Sequence, residues 1–349
     1  MRYLLYIAFI FILSGCTPKQ ETLTQPSKMK VQGSQLQKEA PEESILEPFG
    51  YEEEHFKVAF LYPSKIMSKY AYDAINTITA YLLKSGQKFE IETFDTLDEN
   101  EASIKAKVEE VLALGYKKAV FFFSKNDMDY SAIDNIDDLD IYFPILNKNS
   151  VHTSLKSAVF GGIDYAKQME KLLEYSSGPV IEFRDESSIG IKLSNILNKH
   201  ESYVMTKYVG SNINYKAMLN NRMNNATFVL NTPIVKSSIL LSQFRANEIE
   251  PSVILSTQLN YNPLIFSLTQ KEDRDKLIIM NSISKIESKL LESIDLLDAD
   301  VRYNWVNYST FRGIEYLLDP QKKADIVDNQ MAYGYELKKV GDYAFYDFK

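Results

Sequence analysis

Cysteine is all but absent: Cys16 is the only one in 349 residues, and histidine occurs three times, at His55, His152 and His200. A single thiol excludes an intramolecular disulfide and a thiolate-built structural metal site, so stability has to come from a packed core. Each histidine lies in a polar or segment-edge setting, and no HExxH, GxSxG or P-loop spacing occurs. Gly161-Gly162 lacks the further spaced glycines of a nucleotide cradle and reads as a turn. Among 47 acidic residues no spacing singles out a carboxylate pair. No catalytic residue, metal or cofactor is therefore expected. Basic excess is lacking as well. The net charge is −8 with no basic run, which argues against nucleic acid, whose binding rests on Lys/Arg contacts with phosphate. The same balance disfavours a surface that clings to anionic lipid headgroups. No apolar run approaches the roughly 20 residues of a membrane-spanning helix.

What is present begins at the N-terminus. Arg2 is followed by the apolar run Leu4 to Leu13 and then by Ser14-Gly15-Cys16. A short apolar run ending in small residues is secretory-signal architecture. Leu13-Ser14-Gly15-Cys16 resembles the lipobox of bacterial lipoproteins. The resemblance implies cleavage between Gly15 and Cys16 and a lipid on the Cys16 thiol. Loss of Arg2, the one charged side chain in residues 1–15, would move the charge from −8 to −9. Thr17 stands where an aspartate would signal inner-membrane retention in the lipoprotein systems this resembles, so the expected location is the outer membrane, facing the periplasm. Residues 16–54 lack apolar periodicity and cannot offset their ordering entropy, so they read as a disordered tether. Some 38 flexible residues span roughly 35 Å. Membrane contact is expected through the lipid alone.

From Phe56 strands and helices alternate. Lys57 to Tyr62 is an apolar run, and Ile66, Tyr70, Ala74, Ile78 and Leu82 recur every four residues before Gly86. Phe89 to Phe94, Lys118 to Phe123 and Ile141 to Leu146 read as further strands, with a helix over Ala102 to Leu114. Asp134 to Asp140 reads as a solvated acidic loop, without the glycine and ligand spacing of a calcium site. The rhythm restarts after Val159 to Asp164, and a long helix is expected from about Asp300 to Leu318. Met331 to Phe348 alternates like a hairpin with Gly341-Asp342 near its turn. With 45% hydrophobic residues the chain can build two lobes, each a parallel sheet flanked by helices.

KVAFLYPS (57–64), VFGGIDY (159–165) and PVIEFRDESSIG (179–190) resemble the opening strand, the first inter-lobe crossing and the second-lobe entry of the type I periplasmic-binding-protein fold. The expected fold class is thus α/β, two-lobed and type I periplasmic-binding-protein-like. Lobe 1 would hold 55–164 plus 285–349, and lobe 2 would hold 165–284. With its anchor and tether the chain also resembles the C-terminal part of the outer-membrane lipoprotein activators of peptidoglycan synthases. Their N-terminal helical-repeat domain has no counterpart here.

In open α/β sheets ligands bind beyond the carboxyl ends of the strands. That rule selects Ser64, Ser124 and Asn147 in lobe 1, and Asp185, Asn231 and Thr257 in lobe 2, as possible cleft-lining residues. Ser64, Ser124 and Ser187 equally suit helix N-caps, Asn147 and Asn231 suit turns, and Asp185-Glu186 suits a helix start. In amino-acid binders of this fold, lobe-1 hydroxyls and N–H groups hold the ligand carboxylate, and an acidic side chain of lobe 2 holds its ammonium. Ser124 matches the former, but the stretch Ser256 to Asn260 carries no carboxylate. Two readings follow: an outer-membrane lipoprotein acting on an envelope protein partner as a non-catalytic interaction or regulatory module, or a receptor that closes on a small-molecule ligand for a transporter or sensor.

Overall fold

A computed structural model describes residues 31–32, 55–125, 130, 136, 138–151, 155–319, 321 and 325–348. The apolar N-terminal run, Gly15, Cys16 and all but two tether residues lie outside the described residues. So do 134, 135 and 137 of the acidic stretch.

The chain opens with strand β1 (Val31–Gln32), then β2 (Phe56–Tyr62), α1 (Ser64–Ser85), β3 (Phe89–Asp95), α2 (Glu101–Ala113), β4 (Lys118–Phe121), β5 (Asp140–Phe143) and β6 (Ala158–Phe160). A second series follows: α3 (Tyr165–Leu173), β7 (Val180–Arg184), α4 (Ser188–Leu197), β8 (Tyr203–Tyr208), α5 (Tyr215–Met218), β9 (Thr227–Asn231) and α6 (Ile234–Ala246). It continues with β10 (Val253–Ser256), α7 (Leu264–Leu268), α8 (Lys271–Arg274) and β11 (Leu277–Asn281). The chain ends with α9 (Ser288–Asp295), α10 (Trp305–Leu318), β12 (Ile326–Val327), β13 (Gln330–Met331), β14 (Glu336–Val340) and β15 (Phe345–Asp347).

Two sheets result, in the orders β1-β3-β2-β4-β5-β6-β13-β12 and β15-β14-β11-β10-β9-β7-β8. Their central strands run parallel, and antiparallel pairs lie at the edges. Strand β2 shows why the inner strands are apolar throughout. Ala59 and Leu61 enter the core on one face of the sheet, and Val58 and Phe60 enter the core on the other. All four are fully buried, and burying a large aliphatic or aromatic side chain contributes about 1.5–3 kcal/mol. Helix α1 turns Met67, Ala71, Ala74, Ile78 and Leu82 onto the second core. Gly86 ends it at φ 72°, a left-handed conformation that glycine adopts without a Cβ clash.

Helix α10 returns to the first sheet, as expected. Gly313 permits this, because a Cβ there would lie 2.1 Å from the Tyr142 ring. The Tyr142 hydroxyl donates to the Ser309 carbonyl at 2.9 Å, and burial pushes this phenol up to about 12. Three short crossings, 161–164, 282–287 and 332–335, connect the sheets. One expected boundary needs correction. Residues 285–349 do not all belong with the first lobe, since β14 pairs antiparallel with β11 and β15 extends the second sheet. Val340 and Phe345 pack there among Ile254, Leu277 and Ile279. The tail hairpin is real, with Gly341 N–H bonded to the Ala344 carbonyl in its turn, but it covers an open edge of the other sheet.

Candidate functional site

The chain leaves the first sheet at the carboxyl end of β6 and re-enters from the carboxyl end of β11. With crossings of only a few residues, the carboxyl ends of both sets of parallel strands look toward the inter-lobe region. That is where ligands bind in open α/β folds. All six residues expected to line a cleft sit at these strand ends, and most of their polar groups are engaged within their own lobe.

In lobe 1, Ser64 is the first residue of α1 and not its N-cap. Its N–H is satisfied by Asp95 Oδ1 at 3.1 Å, from the end of the neighbouring strand. Asp95 also accepts from Leu97 N at 2.7 Å. Ser124 donates both its N–H and its hydroxyl to Oε1 of Glu99, a buried carboxylate just ahead of α2. Asn147 is buried and uses both ends of its amide. Its Nδ2 donates to the Gly162 carbonyl at 3.1 Å, and its Oδ1 accepts from Asn149 N–H at 3.0 Å. This fixes the first crossing. Gly162 lies so close that a Cβ would be 2.4 Å from Ile145 O and Leu146 C.

In lobe 2, Asp185 is buried. It accepts from Lys236 Nζ at 2.7 Å and from Ser187 N–H at 3.0 Å and its hydroxyl at 2.5 Å. Desolvation pushes its carboxyl up, but the Lys236 and Ser187 hydrogen bonds outweigh this and hold it below the usual carboxylate range. Ser187 does cap α4, accepting from Gly190 N–H at 3.1 Å. Asn231 donates to Glu182 Oε1 at 2.7 Å, while Ser194 and Thr206 donate to Oε2 at 2.8 and 2.6 Å. Thr257 is fully buried, and its hydroxyl has no partner.

Sequence reasoning passed over Glu99, Glu182, Lys236, Gln168 and Gln258. Glu182 carried a signal, being the one charge inside the buried run Val180 to Phe183. Gln168 carried one too, on the α3 face that buries Met169 and Leu172. It accepts from Gln258 N–H at 3.0 Å and donates to Ser282 Oγ at 2.9 Å. Glu99 and Lys236 carried none, because their partners lie 25 and 51 residues away.

A cavity of about 760 Å³ opens between the 147–150 turn of lobe 1 and helices α3 and α4 of lobe 2, with Asn147, Tyr165, Lys167, Ser188 and Lys192 in its lining. Among the described residues no group of three or more His, Cys, Asp or Glu is placed to hold a metal ion. Nor is any described helix long and apolar enough to cross a membrane.

No protein-family model and no curated protein matches the chain. Solved structures do. The branched-chain amino acid substrate-binding protein LivJ of Streptococcus pneumoniae, in complex with isoleucine, superposes with a TM-score of 0.58 at 8% identity, covering 84% of this chain and 98% of that one. A Rhodopseudomonas palustris solute-binding protein in complex with 4-hydroxybenzoate gives 0.57 at 11% identity, covering 85% and 96%. Haemophilus influenzae LpoA gives 0.56 at 8% identity, covering 84% of this chain and 58% of that one. At these identities the likeness carries the fold alone. The chain has the two-lobed, type I periplasmic-binding-protein-like α/β fold, and these neighbours bear it as binding proteins and as LpoA.

Proposed function

We propose that this chain is an envelope lipoprotein, held in the outer membrane by lipid on Cys16, whose two-lobed body acts as a non-catalytic interaction or regulatory module for a protein partner. One observation carries the reading: the groups that would receive a small ligand are already taken by the chain itself. Where an amino-acid binder of this fold offers a hydroxyl and an N–H to the ligand carboxylate, Ser124 gives both to Glu99. The stretch Ser256 to Asn260, where an acidic clamp for the ammonium is expected, carries no carboxylate, and Asp185, at another strand end of lobe 2, is already paired with Lys236. Strand-end groups already paired within the chain have little left to offer a free amino acid. The likeness in fold to LpoA is in keeping with this reading.

The alternative, a solute receptor, draws support from the cavity of about 760 Å³ beside α3 and α4 and from the ligand-bound neighbours. Hinge closure would then follow the ligand's higher affinity for the closed state. Affinity purification of the chain from detergent-solubilised envelope separates the two. A stoichiometric protein partner is expected. Recovery of the bait alone, with thermal stabilisation by an amino acid, sugar or muropeptide, would establish the receptor instead. Cys16→Ser should move the protein to the soluble fraction, and unchanged membrane retention would refute the anchor.

A further inference from the structure

Among the described residues the two sheets end in four edge strands, and three of them are short. Strands β1 and β12 have two residues each and β15 has three. Brevity blunts an edge, since few unpaired backbone groups remain to recruit another chain. Strand β8 differs. It has six residues, contains no proline and, among the described residues, pairs with β7 alone. Val209 N–H bonds inward to the Arg184 carbonyl at 2.8 Å. Alternation along the strand then turns the N–H and C=O groups of Thr206 and Tyr208 outward, away from β7.

The side chains along this edge are apolar and cationic. Val204, Met205 and Tyr208 are 54, 38 and 43% exposed. The register with β7 places Thr206 and Tyr208 on the face of Glu182 and Arg184, and Met205 and Lys207 on the face of Ile181 and Phe183. Lys207 is half-buried and forms no ion pair among the described residues. The Arg184 guanidinium lies over the Tyr208 ring at 5.8 Å, one of its Nη groups donates to the Asp185 carbonyl at 3.2 Å, and its buried Nε has no acceptor. Glu182, the one carboxylate within the two strands, is fully buried and already receives Asn231, Ser194 and Thr206. Glu201 lies ahead of the strand. In a chain of net charge −8 this edge is therefore locally positive. Pairing β8 with a second copy of itself would bring like charges together, which destabilises cross-strand contacts. A strand that sets a carboxylate opposite Lys207 is drawn instead.

We propose that the β8 edge is the docking surface for the protein partner, which adds an extended acidic segment as an eighth strand of the second sheet. The inference rests on the interaction-module reading and gives that module a surface. Neighbours on one face of a strand are two residues apart. The segment is thus recognised by an acidic residue opposite Lys207 and an apolar residue opposite Met205, two positions from it. Main-chain bonds to Thr206 and Tyr208 supply affinity, and the side-chain spacing supplies the choice of partner.

The probe is a capped, fluorescent peptide, Thr-Val-Thr-Glu-Thr-Val, which offers the apolar–acidic spacing in either strand direction. Its control carries lysine in place of glutamate. Anisotropy with the full chain in detergent micelles should show saturable binding, tighter for the acidic peptide by roughly three- to tenfold. Lys207→Glu should reverse that preference. Hydrogen exchange over residues 203–208 should slow when the acidic peptide is added, while 89–95 is unchanged. Equal affinity for the two peptides, or binding of neither, overturns the acidic partner. Binding without slowed exchange over 203–208 overturns the edge. Slowing that grows with protein concentration in the absence of peptide makes a second copy the occupant and overturns the proposal as well. A partner purified equally well by Lys207→Glu overturns the β8 surface and leaves the module reading standing. Recovery of the bait alone removes the module reading and leaves the peptide result in place, so the two fail separately.

Discussion

If Glu99 fills the position of a ligand carboxylate, removing it should create a site that external carboxylates can enter. Glu99→Ala deletes a carboxylate that is 6% exposed and that receives two hydrogen bonds from Ser124. Hydrogen bonds to a charged group are worth about 1.5–3 kcal/mol each. Two effects reduce the net loss. The buried carboxylate no longer has to be desolvated, and Ser124 is only half-buried, so water can reach its N–H and hydroxyl. We expect a loss of about 1–2 kcal/mol, which lowers Tm by roughly 2–5 °C in a body of this size. The assay is differential scanning fluorimetry with acetate and neutral amino acids. A carboxylate bound at 100 times its Kd returns about 2.7 kcal/mol, enough to restore the variant fully, whereas wild type should not respond. Glu99→Gln keeps an acceptor for Ser124 and should resist rescue. Wild type and Glu99→Ala responding equally, or both staying silent, would refute the reasoning.

Lys236→Met should cost about 1–2 kcal/mol at neutral pH by urea unfolding, the low side of a charged hydrogen bond because Lys236 is 38% exposed. The sign with pH follows from the lowered Asp185 carboxyl: its contribution is present above the unfolded carboxylate pKa, near about 4, and is lost as pH falls through the lower folded value. The gap between wild type and Lys236→Met should therefore narrow as pH falls below the ordinary carboxylate range, and a gap that widens in acid would contradict the assignment. Gly162→Ala places a Cβ 2.4 Å from backbone atoms of Ile145 and Leu146, and should destabilise by about 3 kcal/mol. Gly334→Ala, with nothing within 4 Å, should lie within about 0.5 kcal/mol of wild type. The comparison tests whether the first crossing is held as tightly as its hydrogen bonds indicate.

Much of the fold was legible because burial imposes a period. Strand β2 reads as apolar throughout since it faces two cores. Of the four-residue repeat read in α1, Ala74, Ile78 and Leu82 face the core, while Ile66 and Tyr70 are exposed and Met67 and Ala71 take the buried positions of the first turns. The tail was legible as a hairpin but not as a member of the second sheet. Alternation in Glu336 to Asp347 marks strands but not the edge they join, where Leu337 packs on one face of the second sheet and Val340 and Phe345 on the other. The short α7, α8 and α9 went unread, since one or two turns hold too few apolar positions to show a period. At the candidate site the strand ends were legible and the partners found there were not, and of the six residues only Asn147 lines the cavity beside α3 and α4. Strand ends follow from element order, whereas the pairing of Ser124 with Glu99, of Asp185 with Lys236 and of Ser64 with Asp95 is made by tertiary folding. The same distinction explains Ser64. Its hydroxyl suits a cap by type, but the helix start is satisfied by a carboxylate from the next strand.

The most direct test of the central claim is native mass spectrometry of the chain extracted gently from its own envelope. The account predicts an acylated N-terminal Cys16, a bound protein partner and no stoichiometric small molecule. A single small ligand carried at one-to-one ratio, with no protein bound, would contradict it.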